Sequence, residues 1–181
     1  TGMTGSKSFT PATIAAGGNS RLRITLNAPA DETLTNFSVT DTLPSGVTIS
    51  NSTPATFSAG CGAAPPAALS AVTGSNTVTF TGGTIVPGTA CVIDVWVTSP
   101  TPNAYLNSIP PENINNDQGR RPANPITATL NVTGTSDLSI AKNFQPPAVV
   151  PNSPSLLTIT VQNNNVSPLI NVSLTDPLPF T

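Results

Sequence analysis

Arg21-Leu22-Arg23-Ile24-Thr25-Leu26 alternates polar with apolar residues, the period of a strand that turns one face to a core and one to water. The same alternation recurs over residues 34–40, 77–80, 91–97 and 126–132. Turn chemistry separates these segments: Pro44-Ser45-Gly46, Gly82-Gly83 and Val86-Pro87-Gly88. No stretch combines helical periodicity with caps, so the chain reads as all-β, an antiparallel sandwich of many short strands. Residues 100–125, rich in Pro and Asn, read as one short strand around Tyr105-Leu106-Asn107 followed by a long loop.

Composition narrows the function classes. Of 181 residues only 8% are charged, against about 25% in an ordinary soluble domain. Six Lys and Arg face eight Asp and Glu, a net charge of -2, which leaves no basic surface for nucleic acid. There is no histidine, which removes Ser-His-Asp and Cys-His catalysis and histidine-ligated metal centres. No apolar run is long enough to span a bilayer, and Thr1-Gly2-Met3-Thr4 does not open a signal peptide. Mean hydropathy is slightly positive, which separates the chain from disordered sequences. The expectation is a non-enzymatic extracellular protein without cofactor or metal. Cys61 and Cys91 are the only cysteines; they form either one disulfide, closing a loop worth roughly 3 to 4 kcal/mol, or two buried thiols.

The chain repeats itself. Lys7-Ser8-Phe9-Thr10-Pro11 returns as Lys142-Asn143-Phe144-Gln145-Pro146, and Thr40-Asp41-Thr42-Leu43-Pro44 returns as Thr175-Asp176-Pro177-Leu178-Pro179. The offset is the same at both ends, 142−7 = 135 and 176−41 = 135. Residues 1–134 therefore read as a complete sandwich and 135–181 as the opening strands of a second, incomplete copy with about three strands. Leu157, Ile159, Val161, Leu169, Val172 and Leu174 would then face solvent beside open edges. Either another molecule completes that face, making the chain a homo-oligomer or filament subunit assembling by β-strand complementation through residues 135–181, or the chain is a piece of a longer array.

Residues 7–14, 40–46, 82–91 and 105–109, with the Thr-Asp-x-Leu-Pro signature at 40–44, resemble the tandem Ig-like repeats of bacterial surface proteins. The resemblance implies an Ig-like β-sandwich at the cell surface or outside the cell, serving as stalk, adhesin or filament. The alternative to a structural repeat is an adhesin-type module that holds a carbohydrate or protein ligand. Some related surface and pilus domains join a lysine to an asparagine with the help of a buried acid. That chemistry needs a neutral lysine, a carboxyl group to polarise the amide and an asparagine in contact. Lys7, Asp41 and Asn107 fit it, since they stand on three separate predicted strands or strand ends; the simpler alternatives are a turn cap for Asp41 and a solvated edge charge for Lys7. Lys142 and Asp176 repeat the first two members.

Other features carry less. Residues 115–119 resemble a calcium loop but lack its alternating carboxylates, and read as a hydrated loop. Asp31-Glu32 reads as a solvated turn and Arg120-Arg121 as a loop dipeptide. Trp96, in an alternating strand, is expected in the core rather than on a sugar-stacking surface. Glycosylation triplets at Asn36, Asn51, Asn131, Asn165 and Asn171 arise readily in a chain of this composition.

Overall fold

The computed structural model describes residues 2–62, 67–134, 138–164 and 168–178. The chain divides into two units, Thr1–Gly134 and Thr135–Thr181. In the first, β1 (Thr4–Thr10), β2 (Thr13–Ala15), β3 (Asn19–Asn27), β4 (Leu34–Thr42), β5 (Thr48–Ile49), β6 (Thr56–Phe57), β7 (Ala68–Ala71), β8 (Thr77–Ile85), β9 (Ala90–Thr98), β10 (Asn103–Ile109), β11 (Ile114–Asn115) and β12 (Ile126–Thr133) form three sheets. Their orders are β1-β3-β9-β5, with β6 also on β9; β11-β4-β8-β7; and β10-β12-β2. All pairings are antiparallel except that of β12 with β2. The fold is an all-β, Ig-like antiparallel sandwich.

Alternation places the core. In β3, Ser20, Leu22, Ile24 and Leu26 are buried; in β9, Cys91, Ile93, Val95 and Val97 are buried. These two strands pair in unbroken register from Asn19–Thr98 to Asn27–Ala90, so their apolar faces coincide. Phe37 of β4, Phe80 of β8 and Phe57 of β6 meet inside, with Phe80 ring-to-ring at 6.2 Å from Phe37 and 5.1 Å from Phe57. Cys61, in a 3-10 turn over Ala59–Cys61, is bonded to Cys91 at the start of β9, so the expected disulfide is present.

Three expectations need correction. Gly82-Gly83 is not a turn but lies inside β8, where the register against β4 shifts between the Phe37–Gly83 and Val39–Phe80 pairs. Glycine is needed there because Gly82 has φ 72° and a Cβ on Gly83 would stand 2.5 Å from the Phe80 ring and 2.9 Å from the Cys61 carbonyl oxygen. Gly83→Ala should therefore destabilise by about 1 to 3 kcal/mol in urea titration. Trp96 is not a core residue: with Val95 and Val97 facing in, parity turns it outward beside Asp94. It is half-buried in a shallow surface hollow with Ile49, Pro54, Ala55 and Thr73. Finally, residues 100–125 hold more than one strand and a loop, since a 3-10 turn over Pro111–Asn113 leads into β11, which pairs with β4.

The second unit has one hairpin, β13 (Leu138–Gln145) with β14 (Leu156–Asn163). The third strand expected there is absent among the described residues: 168–178 run without strand pairing. The equivalent stretch in the first unit, β4, is held by β8 and β11, for which the described residues of the second unit offer no counterpart.

Candidate functional site

The inward faces of three strands carry one polar residue each where the pattern calls for an apolar one. On β1, Lys7 is buried beside Phe9; on β4, Asp41 follows Phe37 and Val39; on β10, Asn107 stands between Tyr105 and Ile109. These strands belong to three different sheets, and the fold brings their inward residues together. Lys7 Nζ lies 2.8 Å from Asp41 Oδ2, and Asn107 Nδ2 donates to the same oxygen at 3.0 Å. The side chains of Lys7 and Asp41 are 0% and 1% exposed, and Asn107 is 0% exposed.

The surroundings are apolar. Directly across the sheets, Lys7 faces Ile24, Asp41 faces Val78 and Asn107 faces Ala128. Lys7 Nζ contacts Asp41 as an ion pair without making a well-aligned hydrogen bond, and Asp41 Oδ1 and Asn107 Oδ1 have no hydrogen-bond partner among the described residues. Burial pulls the Lys7 ammonium from 10.5 down to about 8, against the opposing attraction of Asp41. A buried Lys-Asp pair costs several kcal/mol of desolvation per ion, and well-packed apolar residues in its place would be neutral or stabilising. Stability alone therefore does not explain why three strands carry these polar residues inward. Asp41 is not a turn cap, and Lys7, although on an edge strand, is not a solvated charge.

In the first unit the fold gathers Lys7, Asp41 and Asn107 on one carboxylate oxygen. Residues 115–119 are tied to β4 by their own side chains: Thr35 Oγ1 donates to Asp117 Oδ2 at 2.8 Å and the Thr35 amide donates to Gln118 Oε1 at 2.8 Å. No group of metal-ligating residues occurs among the described residues. Arg120 pairs with Glu32, joining two loops that the sequence left separate, and Arg121 donates to Asn115 Oδ1. On the outer face, Arg23 and Asp94 stand opposite each other in register and make a two-pronged ion pair at 2.8 and 2.6 Å. Asn36, Asn51, Asn131 and Asn171 are exposed, and Asn165 lies outside the described residues. The apolar partners Ile24, Val78 and Ala128, which set the environment of the triad, escape a search for reactive residues; cross-strand register is what identifies them.

The second unit reuses much of this geometry at the same offset. Lys142 lies 2.7 Å from Asp176 and stands opposite Ile159, as Lys7 stands opposite Ile24. Ser155 Oγ donates to the Pro146 carbonyl at 2.7 Å, as Ser20 Oγ does to that of Pro11. Asn36 and Asn171 both take positive φ, 50° and 57°.

Residues 4–132 match the model of a family described as "Domain of unknown function (DUF7933)". No curated protein matches the chain. Among solved structures it is similar to BcpA*(D312A), the major pilin subunit of Bacillus cereus, with a TM-score of 0.53 and 12% identity over 90% of this chain and 56% of the pilin. It is also similar to the collagen-binding domain from a Staphylococcus aureus adhesin, at TM-score 0.48 and 9% identity over 72% of this chain and 97% of that one. The chain thus spans little more than half the pilin's length. At this identity the pilin likeness is one of fold. Among the described residues no helix is long and apolar enough to cross a membrane.

Proposed function

The chain belongs to the DUF7933 family, and from that premise we propose that it is a structural, non-enzymatic domain of a bacterial surface or secreted protein, strengthened by an amide bond that it forms between its own Lys7 and Asn107. The observation that carries the proposal is the triad itself: a lysine, an acid and an asparagine, each buried, drawn from three sheets onto one carboxylate oxygen.

The residues divide the work as follows. The proton of Lys7 passes to Asp41 across their 2.8 Å contact, leaving a neutral amine. Turning the Asn107 amide by half a revolution exchanges Oδ1 and Nδ2 with little change of outline, and the protonated Asp41 then donates to Oδ1 and polarises the carbonyl. Lys7 Nζ attacks Asn107 Cγ. The Cγ–Nδ2 bond breaks, a proton from Lys7 is relayed through Asp41 to the departing nitrogen, and ammonia leaves. Each chain reacts once.

The bond would close a loop of 107−7 = 100 residues in sequence, from the first strand to β10, so that tension along the chain bypasses most of the sandwich. That use fits a stalk or filament, and the fold is similar to that of a major pilin subunit. After reduction of the disulfide, the denatured wild-type chain should run faster on a gel than Asn107→Ala, because it stays looped; equal mobility would count against the bond.

The Lys7 environment gives a pH dependence that can be read in Asn107→Ala, which keeps the ion pair but cannot form the bond. Below about pH 8 Lys7 is charged folded and unfolded, and the full cost of burying it is felt. Between about 8 and 10.5 the folded chain has released this proton while the unfolded chain still holds it, so stability rises with pH across that window. Urea titrations at pH 7 and pH 10 should show the increase, and it should vanish in Asn107→Ala combined with Lys7→Met.

A further inference from the structure

We propose that the hollow beside Trp96 is a binding site for a neutral saccharide, with a glucose-like pyranose ring laid on the indole. An interrupted strand builds the hollow. β5 sets Thr48 opposite Thr98 and Ile49 opposite Val97, so an unbroken strand would bring residue 52 opposite Asp94. Thr56 of β6 stands there instead, and four residues (56−52 = 4) are looped out from the edge of β9 beside Val95 and Trp96. The detour is anchored: the Ser50 amide donates to the Trp96 carbonyl at 2.8 Å, and the Ser52 amide donates to Ser50 Oγ at 3.1 Å. The turn after β7 closes the other side through Thr73, and is itself held by the Gly74 amide, which donates to the Ile49 carbonyl at 2.8 Å. The hollow has a volume of about 280 Å³, close to the lower end of the range for ligand pockets, about 300 Å³.

The lining selects the ligand. Trp96 is the only tryptophan in the chain, and among the described residues its indole N–H has no hydrogen-bond partner and its ring no aromatic neighbour. Pro54 and Ala55 supply apolar walls. Asn51, Thr53 and Thr73 are exposed, and their side chains make no hydrogen bond with the described residues. An aromatic plane ringed by uncommitted amide and hydroxyl groups matches a pyranose with equatorial hydroxyls. The faces of such a ring are C–H bonds that lie against the indole, and its rim donates and accepts hydrogen bonds. No charged side chain lines the hollow. Arg21 and Arg23, opposite Trp96 and Asp94 on β3, are both directed to Asp94, at 4.0 and 2.6 Å, so the lining favours a neutral sugar over an acidic one. A proline-rich peptide calls for a groove lined by several aromatic side chains, and Trp96 stands alone. The site lies on the outer face, away from Lys7, Asp41 and Asn107, and does not depend on the bond proposed between them.

Because Trp96 is the sole tryptophan, its fluorescence reports this hollow alone. Titration of the whole 181-residue chain with cellotriose and with chitotriose should shift that emission saturably for at least one of them, with half-saturation in the millimolar range or below. Asn51→Ala and Thr73→Val keep the fluorophore and should each weaken binding about fivefold to tenfold. Saturation transfer from protein to sugar protons, read by NMR, should vanish in Trp96→Ala and persist, weakened, in Trp96→Tyr, which keeps an aromatic plane. No saturable response to either sugar up to about 20 mM would overturn the proposal. So would binding that survives Trp96→Ala, or a response unchanged by both Asn51→Ala and Thr73→Val. A stronger response to trigalacturonate or to a decaproline peptide would replace the neutral sugar with an acidic one or with a peptide, and would equally overturn it.

Discussion

Replacing Asp41 by alanine should leave Lys7 and Asn107 unjoined and should make the chain less stable than Asn107→Ala by about 3 to 5 kcal/mol. Both variants lack the bond, so the difference between them isolates the electrostatic role of the acid. With Asp41 gone, an ammonium on β1 faces Ile24 and the core without a counter-charge, its side chain fully enclosed. The sandwich must then neutralise Lys7, open to admit water, or partly unfold, and each outcome costs free energy. Asn107→Ala instead removes a neutral amide and keeps the ion pair. Urea titration at pH 7 measures the difference. Equal stability would mean that Lys7 reaches solvent in the folded chain, and the buried triad would have to be abandoned.

The second large effect is expected at the aromatic centre. Phe80 is fully buried, packs edge-on against Phe57 and touches Phe37, and its ring lies where a side chain on Gly83 would intrude. Phe80→Ala, measured in the Asn107→Ala background so that no amide cross-link restrains the unfolded chain, should cost about 3 to 5 kcal/mol. The loss is the ring's burial together with the cavity left between β4, β6 and β8. A cost below about 1 kcal/mol would show that these strands do not enclose a packed core.

The strands of this fold were legible where alternation was long. Residues 21–26 and 91–97 predict β3 and β9 and even the side each residue takes, because period-two burial is a local property. The same parity places Trp96 outside, a conclusion that its aromatic character obscured. β5, β6 and β11, of two residues each, were not legible, since so short a strand is defined by its partner and not by its own pattern. Gly82-Gly83 carries turn chemistry but serves a register shift inside β8, a matter of what lies across the sheet and above it.

The triad was legible in a different way. Lys7, Asp41 and Asn107 each break an apolar face, and the offset of 135 singles out the first two by repetition. Their convergence on one oxygen is a tertiary fact, fixed by three sheets and readable from no single segment. The Glu32–Arg120 pair, 88 residues apart in sequence, was hidden for the same reason.

A covalent bond between Lys7 and Asn107 would be visible in the intact mass of the purified, folded chain. The mass should lie one ammonia below that calculated from the sequence with its disulfide, and Lys7→Arg or Asn107→Ala should each show the full mass calculated for that variant. A wild-type mass equal to the calculated one would contradict the bond.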